Sequence, residues 1–342
     1  MARRSPLSGE VLRSLRHADG YVSGQDLSAR CGVTRAAVWK QIQKLRSMGY
    51  AIDGIPSTGY RLVAAPDALD ADEVLPDTRP ERLGTRVHLL AETRSTNDDA
   101  WRLAREGAPE GSIVIAECQT GGKGRKGRVW VSPKGVNLYT SIVLRPPIPP
   151  SQAPLLTLLA GVAVAEVIRE DHGIEAGIKW PNDVLIDGKK VAGILSEMSA
   201  EADRVHFLVV GIGVNLNMTE EMFPPDLLHP ATSLFLVTGT KVDRASFARS
   251  LYGRLDRWYA TFLARGGEPV REAWLAWCVH RDRWLEVLTL SGRQSGRFAG
   301  LDDEGCLLLE SGGAAPARIS AGDVVRSRQM PSAEPVSNEG GG

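Results

Sequence analysis

Four cations, Lys123, Arg125, Lys126 and Arg128, fall within six residues of the stretch GGKGRKGRVW that runs from Gly121 to Trp130. Cations spaced by glycines make an electropositive clamp suited to a polyphosphate or acyl phosphate, because missing Cβ atoms let main chain and charge approach an anion closely. The same letters spell other patterns. Gly122, Gly124 and Gly127 form G-x-G-x-x-G, but a dinucleotide loop must open a helix and be followed by an acidic residue about 20 positions on. Here 129–133 is extended and stopped by proline, and 145–150 reads RPPIPP. With Val129 the pattern becomes that of a kinase glycine loop, and His280-Arg281-Asp282 supplies an "HRD". Val287 nevertheless stands where the metal-binding Asn should be, and no DFG follows. Gly127 is followed by Arg128-Val129, which excludes a Walker A loop. A solvated loop or a nucleic-acid contact stays open until the neighbouring motifs are read.

Those neighbours are polar and glycine-rich. Ser95-Thr96-Asn97-Asp98 opens a predicted helix with an S-x-x-D capping box, and its two hydroxyls and amide make a polar floor. Residues 178–184, IKWPNDV, read as a strand broken at proline. Asp187-Gly188 is hairpin-turn chemistry, and KKVAGIL is a strand interrupted by Gly193. The apolar run HFLVVGIGVNLN ends on Gly211, Gly213 and Asn215.

The elements that must position these residues separate by composition. Residues 1–65 carry ten Lys/Arg against four Asp/Glu, a balance of +6, while the whole chain of 342 residues is formally neutral. A basic block suits nucleic acid. Within it Ser23-x-x-Asp26 caps a short helix that Gly32 closes, and Thr34 caps a second helix ended by Gly49. Val38, Ile42, Leu45 and Met48 repeat at helical spacing on the second helix, leaving Arg35, Lys40, Lys44 and Arg46 largely off the buried stripe. Two short strands around 55–59 add a wing. This is the pattern of a winged helix-turn-helix, with Arg35 and Lys40 the candidates for the major groove of DNA; a protein-interaction module is the alternative. The expected organisation is multidomain α+β: the winged domain in 1–63, a linker in 64–84, an α/β catalytic domain in 85–275, a small β domain in 276–329 and a disordered tail in 330–342. Cys31, Cys118, Cys278 and Cys306 lie far apart with no C-x-x-C pair, which argues against a zinc site or disulfides. The apolar stretch 155–168 is too short to span a bilayer and contains Thr157 and Glu166. A cytoplasmic protein without membrane attachment is expected.

Taken in order, STN, QTGGKGRKGRVW, KWPND, KKVAGIL and GIGVNLN resemble biotin protein ligases, and the winged start resembles the bifunctional form that also represses biotin genes. The resemblance covers about residues 8–326. It implies a class II synthetase-like catalytic domain followed by an SH3-like β-barrel. It implies that biotin is activated by ATP with Mg²⁺ to biotinyl-5′-AMP and passed to a lysine of a biotin carboxyl carrier protein, from acetyl-CoA carboxylase or a related carboxylase. Ser95, Thr96, Asn97, Gln119, Lys123, Gly124, Arg125, Lys190 and Gly193 would bind biotin. Lys123, Arg125, Arg128, Trp130, Lys179, Asn182 and Asn215 would bind the nucleotide. Arg125, Lys190 and Asp183 would be catalytic, Asp183 orienting or deprotonating the acceptor amine. A homodimer on a two-fold operator is a further implication. One position departs: the family loop often reads G-R-G-R-x-G-R, and Lys123 replaces its first arginine, keeping charge but losing a planar fork. The alternatives are a lipoate-type ligase and a biotin-sensing repressor without ligase activity.

Overall fold

The structure is a computed structural model that describes residues 6–65, 69–76, 81–227, 229–312 and 315–329. The expected tail, 330–342, lies outside the described residues, as do 66–68 and 77–80 of the expected linker. The chain divides into two compact units, one of Met1–Arg79 with Asp243–Arg249, the other of Pro80–Val242 with Ser250–Gly342.

The first unit holds α1 (Pro6–Arg16), α2 (Gly24–Cys31), α3 (Arg35–Ser47), β1 (Ala51–Ile55), β2 (Gly59–Ala64) and α4 (Ala71–Val74). The caps form as the sequence predicts. Ser23 accepts from the Asp26 N–H, Thr34 accepts from the Ala37 N–H, and Gly32 ends α2 at φ +63°. Val38, Ile42 and Leu45 are fully buried against Val11, Leu12 and Leu15. β1 and β2 pair antiparallel as the wing. Gly59 is needed at its turn, because a Cβ there would lie 2.0 Å from the Val22 carbonyl oxygen. Arg46 donates to the Ile52 carbonyl from Nε at 3.0 Å and from its terminal nitrogen at 2.6 Å, tying α3 to the wing.

The second unit is built on a seven-stranded mixed sheet of order β3-β4-β5-β9-β8-β7-β6. Its members are β3 (Arg86–Leu90), β4 (Ser112–Ala116), β5 (Leu138–Leu144), β6 (Ala176–Lys179), β7 (Asp183–Ile186), β8 (Lys189–Ala200) and β9 (Val205–Val214); only β3 and β4 run parallel. β4 and β5 are buried at every residue, including Ser112, Thr140 and Ser141, as central strands covered on both faces are. On one face α5 (Thr96–Arg105) packs Ala100 and Ala104 against Val114, Val143, Phe207 and Val209. Because side chains alternate along a strand, Gly211 and Gly213 fall on the same face as Phe207 and Val209. Two large residues thus give way to two empty positions. α6 (Pro154–His172) meets the opposite face, with Gly161 against Ile178 and Ile194. Among the described residues α6 is the one helix long and apolar enough to cross a membrane, and its window is mostly buried inside the unit.

α7 (Leu234–Thr238), α8 (Arg244–Arg265) and α9 (Glu268–Ala276) follow, and Asp256 on α8 accepts from the N–H groups of Glu81, Arg82 and Leu83 at 2.8–2.9 Å. The expected linker therefore ends in fixed structure. The carboxyl-terminal sheet is antiparallel, of order β13-β12-β11-β10-β14, with β10 (Arg283–Thr289), β11 (Gly292–Leu301), β12 (Leu307–Glu310), β13 (Ala317–Ile319) and β14 (Asp323–Gln329). β13 has three residues, so short a run that it carries little periodicity in the sequence.

Candidate active site

The two empty positions on β9 open one side of a cavity of about 400 Å³. Its wall includes Ser95, Thr96, Asn97, Gln119, Lys123, Gly124, Arg125, Arg128, Trp130, Lys179, Asn182, Asp183, Lys190, Gly193 and Asn215. Every residue the sequence placed in the catalytic centre is therefore brought to one place, from five separate segments. Arg35 and Lys40 lie in the other unit, exposed on α3 beside Trp39, which is 56% exposed.

The floor departs from the expected capping box. Ser95 is the N-cap of α5 but its side chain makes no cap bond. Gln119 takes that place: its Oε1 accepts from the Thr96 N–H at 2.9 Å and the Thr96 hydroxyl at 3.2 Å, and its Nε2 donates to Ser132 at 2.9 Å. The fourth residue of the box, Asp98, pairs instead with Lys123 across the loop. Asn97 is locked on three sides, accepting from Ser141 at 2.6 Å and donating to the Leu195 carbonyl at 3.2 Å and to Glu197 at 2.8 Å.

The glycine loop is a hairpin closed by Gly124 N–H on the Arg128 carbonyl at 2.7 Å, with no helix behind it beyond a 3₁₀ turn at Arg125–Gly127. Lys126 at φ +57° and Gly127 at φ +74° make the turn. Gly122 allows Trp130 to fold back, since a Cβ there would meet the Trp130 carbonyl oxygen at 2.3 Å. The indole then lies over Gly213 and Gly193, where Cβ atoms would come within 2.6 and 3.1 Å of the ring. Lys190 Nζ sits 5.4 Å from the Trp130 ring centroid and 2.5 Å from Asp183 Oδ1.

Asp323, at the start of β14, was missed in the sequence and gathers the loop. Arg125 reaches it at 3.1 Å, Lys126 at 3.3 Å and Arg128 at 2.6 Å, while Arg125 also donates to the Gly322 carbonyl at 3.0 Å. Burial would raise the Asp323 carboxyl, but Arg125 and Arg128 outweigh it and hold the group below the usual carboxylate range. Burial pulls Arg125 below its usual value against the attraction of Asp323, and does the same to Lys179 against Asp183. Among the described lining residues five Lys/Arg face three Asp, so the cavity keeps an excess of partly desolvated positive charge. Such a site favours an anion.

Asn215, expected at the nucleotide, is buried and spends its amide on the protein. Its Nδ2 donates to the Thr232 carbonyl at 3.1 Å and its Oδ1 accepts from Asn137 at 3.4 Å. It shapes the wall at 231–232. Of the cavity's three carboxylates Asp183 and Asp323 are already paired and Asp226 is exposed, and the described group of Asp302, Glu304 and Cys306 is engaged by Arg318. No resident cage of carboxylates thus faces the cavity among the described residues.

Comparison with known proteins agrees with this geometry. Residues 89–215 match the model of the biotin/lipoate A/B protein ligase family, and residues 10–61 match a helix-turn-helix domain. The chain is 40% identical over 309 residues to the bifunctional ligase/repressor BirA of Bacillus subtilis, covering 90% of this chain and 95% of that one. It is 32% identical over 294 residues to the protein of that name in Escherichia coli, covering 86% and 89%. Biotin protein ligase from Aquifex aeolicus, solved in complex with biotin and ATP, superposes with a TM-score of 0.62 at 28% identity, over 72% of this chain and all of that one. The chain belongs to the biotin/lipoate A/B protein ligase family and carries an amino-terminal helix-turn-helix domain.

Proposed function

We propose that this protein joins biotin to ATP as biotinyl-5′-AMP, transfers the biotinyl group to a carrier-protein lysine, and represses biotin genes as a homodimer in the cytoplasm. The observation that carries the reading is the convergence of five cations on a cavity whose floor is Ser95, Thr96, Asn97 and Gln119. Residues 276–329 are read as an SH3-like barrel.

A biotin carboxylate oxygen attacks the α-phosphorus of ATP, and the bond to pyrophosphate breaks. Two anions must meet, so Arg125, Lys190 and Lys179 offset the repulsion, and do so best where water is excluded. Magnesium enters as the counter-ion of ATP, as part of the substrate, which suits paired carboxylates that offer no cage. Lys190 is held by Asp183 at rest; when it turns to the phosphates, Asp183 is released to accept a proton. The acceptor amine, with a reference pKa of about 10.4, needs such a base before it attacks the acyl carbon and expels AMP. The loop of Lys123, Gly124, Arg125 and Arg128, covered by Trp130, shields the mixed anhydride from water. Arg125 is the stronger candidate for an essential residue than Lys123, because it keeps the planar guanidinium that Lys123 lacks.

On the regulatory side, the exposed Arg35 and Lys40 of two copies would enter successive major grooves of a two-fold operator. Supplying biotin, ATP and a carrier domain tests the enzyme, and absence of biotinylated lysine overturns it. Lipoate supplied in place of biotin separates the ligase classes. Operator binding indifferent to biotin and ATP would remove the switch.

A further inference from the structure

His280-Arg281-Asp282, the tripeptide that mimics a kinase catalytic loop, ends a strap along the edge of the seven-stranded sheet. β6 is that edge. The strap pairs with it in parallel: Ile178 donates its N–H to the Trp277 carbonyl at 2.8 Å, and Val279 donates to the Ile178 carbonyl at 3.1 Å. Gly177 permits the approach, since a Cβ there would lie 2.4 Å from Val279 Cγ1. In a continuing parallel ladder the Trp180 N–H would next bond the Val279 carbonyl. A side chain takes that rung instead. The Trp180 N–H donates to His280 Nε2 at 3.1 Å. The Trp180 indole is held separately, donating to the Gly305 carbonyl at 3.3 Å.

His280 is 1% exposed and lies against Phe298, a place where an apolar residue would be the ordinary choice. For Nε2 to accept, the ring proton must sit on Nδ1, and Nδ1 has no hydrogen-bond partner among the described residues. An unpaired buried donor is unfavourable, so an imidazole here is disfavoured for stability and valuable only for its acceptor nitrogen. Burial first, then Lys179 and Arg283, push its pKa down to about 3. The acceptor is therefore present throughout the neutral range. The turn it holds delivers Asn182 and Asp183 to the cavity. Asn182 bonds the Ile194 carbonyl at 2.7 Å and Asp183 meets Lys190 at 2.5 Å.

We propose that His280 is a positioning residue: its neutral imidazole supplies the rung that fixes the turn from Trp180 to Asp183, and so sets Asp183 against Lys190 for adenylation. The assignment rests on the ligase reading of the cavity. It is tested on the full chain with His280→Gln, which keeps an acceptor near the place of Nε2, and His280→Leu, which fills the volume without one. Biotin-dependent exchange of labelled pyrophosphate into ATP measures adenylation. Calorimetric binding of biotin alone measures the floor around Thr96 and Gln119, which the turn does not touch. The expected result is that His280→Leu binds biotin normally but loses about tenfold or more in kcat for exchange, because small misplacements of reacting groups are amplified in rate. His280→Gln should restore kcat to within about threefold of wild type. Wild-type kcat in the Leu variant, or equal loss in both variants, overturns the assignment. If the Leu variant does not fold, the Gln variant decides alone: near-normal exchange supports the acceptor role, and a folded Gln protein about tenfold slower overturns it. No exchange by the wild type would instead overturn the ligase reading, and this assignment with it.

Discussion

Replacing Gly211 by alanine probes how tightly the floor of the cavity is built. A Cβ at Gly211 would stand 2.0 Å from Asn97 Oδ1 and 2.8 Å from its Cγ. Real Cβ contacts below 3.0 Å do not occur, so Asn97 must retreat by about 1 Å in a close-packed surround. It has nowhere easy to go: it is 4% exposed and bonded to Ser141, Leu195 and Glu197. Three hydrogen bonds at about 1 kcal/mol each set an upper limit of about 3 kcal/mol. Overpacking of cores costs about 1–3 kcal/mol. We therefore expect a loss of about 2 kcal/mol, which for a unit of this size lowers Tm by about 4–8 °C. Biotin affinity should fall about tenfold or more, equivalent to at least about 1.4 kcal/mol of displaced contact. Differential scanning calorimetry and titration calorimetry give both quantities. The double variant Gly211→Ala/Asn97→Ala removes the clashing carboxamide and should be less destabilised than the sum of the singles by about 1 kcal/mol. Wild-type Tm and biotin affinity in Gly211→Ala, or strict additivity in the double variant, would refute the reasoning.

Arg125→Ala should slow pyrophosphate exchange by about 10²-fold, with Arg125→Lys recovering only part, because an ammonium cannot span Asp323 and the Gly322 carbonyl together; full recovery in the lysine variant would show that charge alone suffices. Burial holds the folded His280 imidazole at a pKa of about 3, below the ordinary histidine value of 6.5, so the unfolded chain takes up its proton first. Its contribution to stability is complete above pH 6.5 and drains as pH falls toward 3, with a slope of up to about 1.4 kcal/mol per pH unit. His280→Gln should flatten that limb in a series of melts against pH, and an unchanged slope would show that another group titrates there. Lys40→Ala should reduce the salt slope of operator binding by about 0.9, the value for one phosphate contact. Retention of the full slope would place Lys40 off the DNA backbone.

Local rules made the first unit legible. Thr34, Gly32 and the Val38–Ile42–Leu45 stripe act within a few residues of where they stand, so caps and periodicity read directly from the chain. The set of cavity residues was legible for a related reason. Glycines at 122, 193, 211 and 213 mark places where another group must come close, and polar residues beside them mark what the space is for. The partners were not legible. Asp323 lies 195 residues from Arg128, and His280 lies 100 residues from Trp180. Ser95 and Asp98 spell a capping box, yet Gln119 arrives from another segment to cap the Thr96 N–H, and Lys123 claims the Asp98 carboxylate. Thus the amino-acid sequence by itself determined most of the residues that converge, though not Asp323, and the family to which the chain belongs. The tertiary structure alone decided which cation each carboxylate holds, which groups each amide bonds, and which side chain completes the sheet edge. The reason is that hydrogen bonds and ion pairs are satisfied by whatever the fold brings within about 3 Å, and separation along the chain places almost no constraint on that.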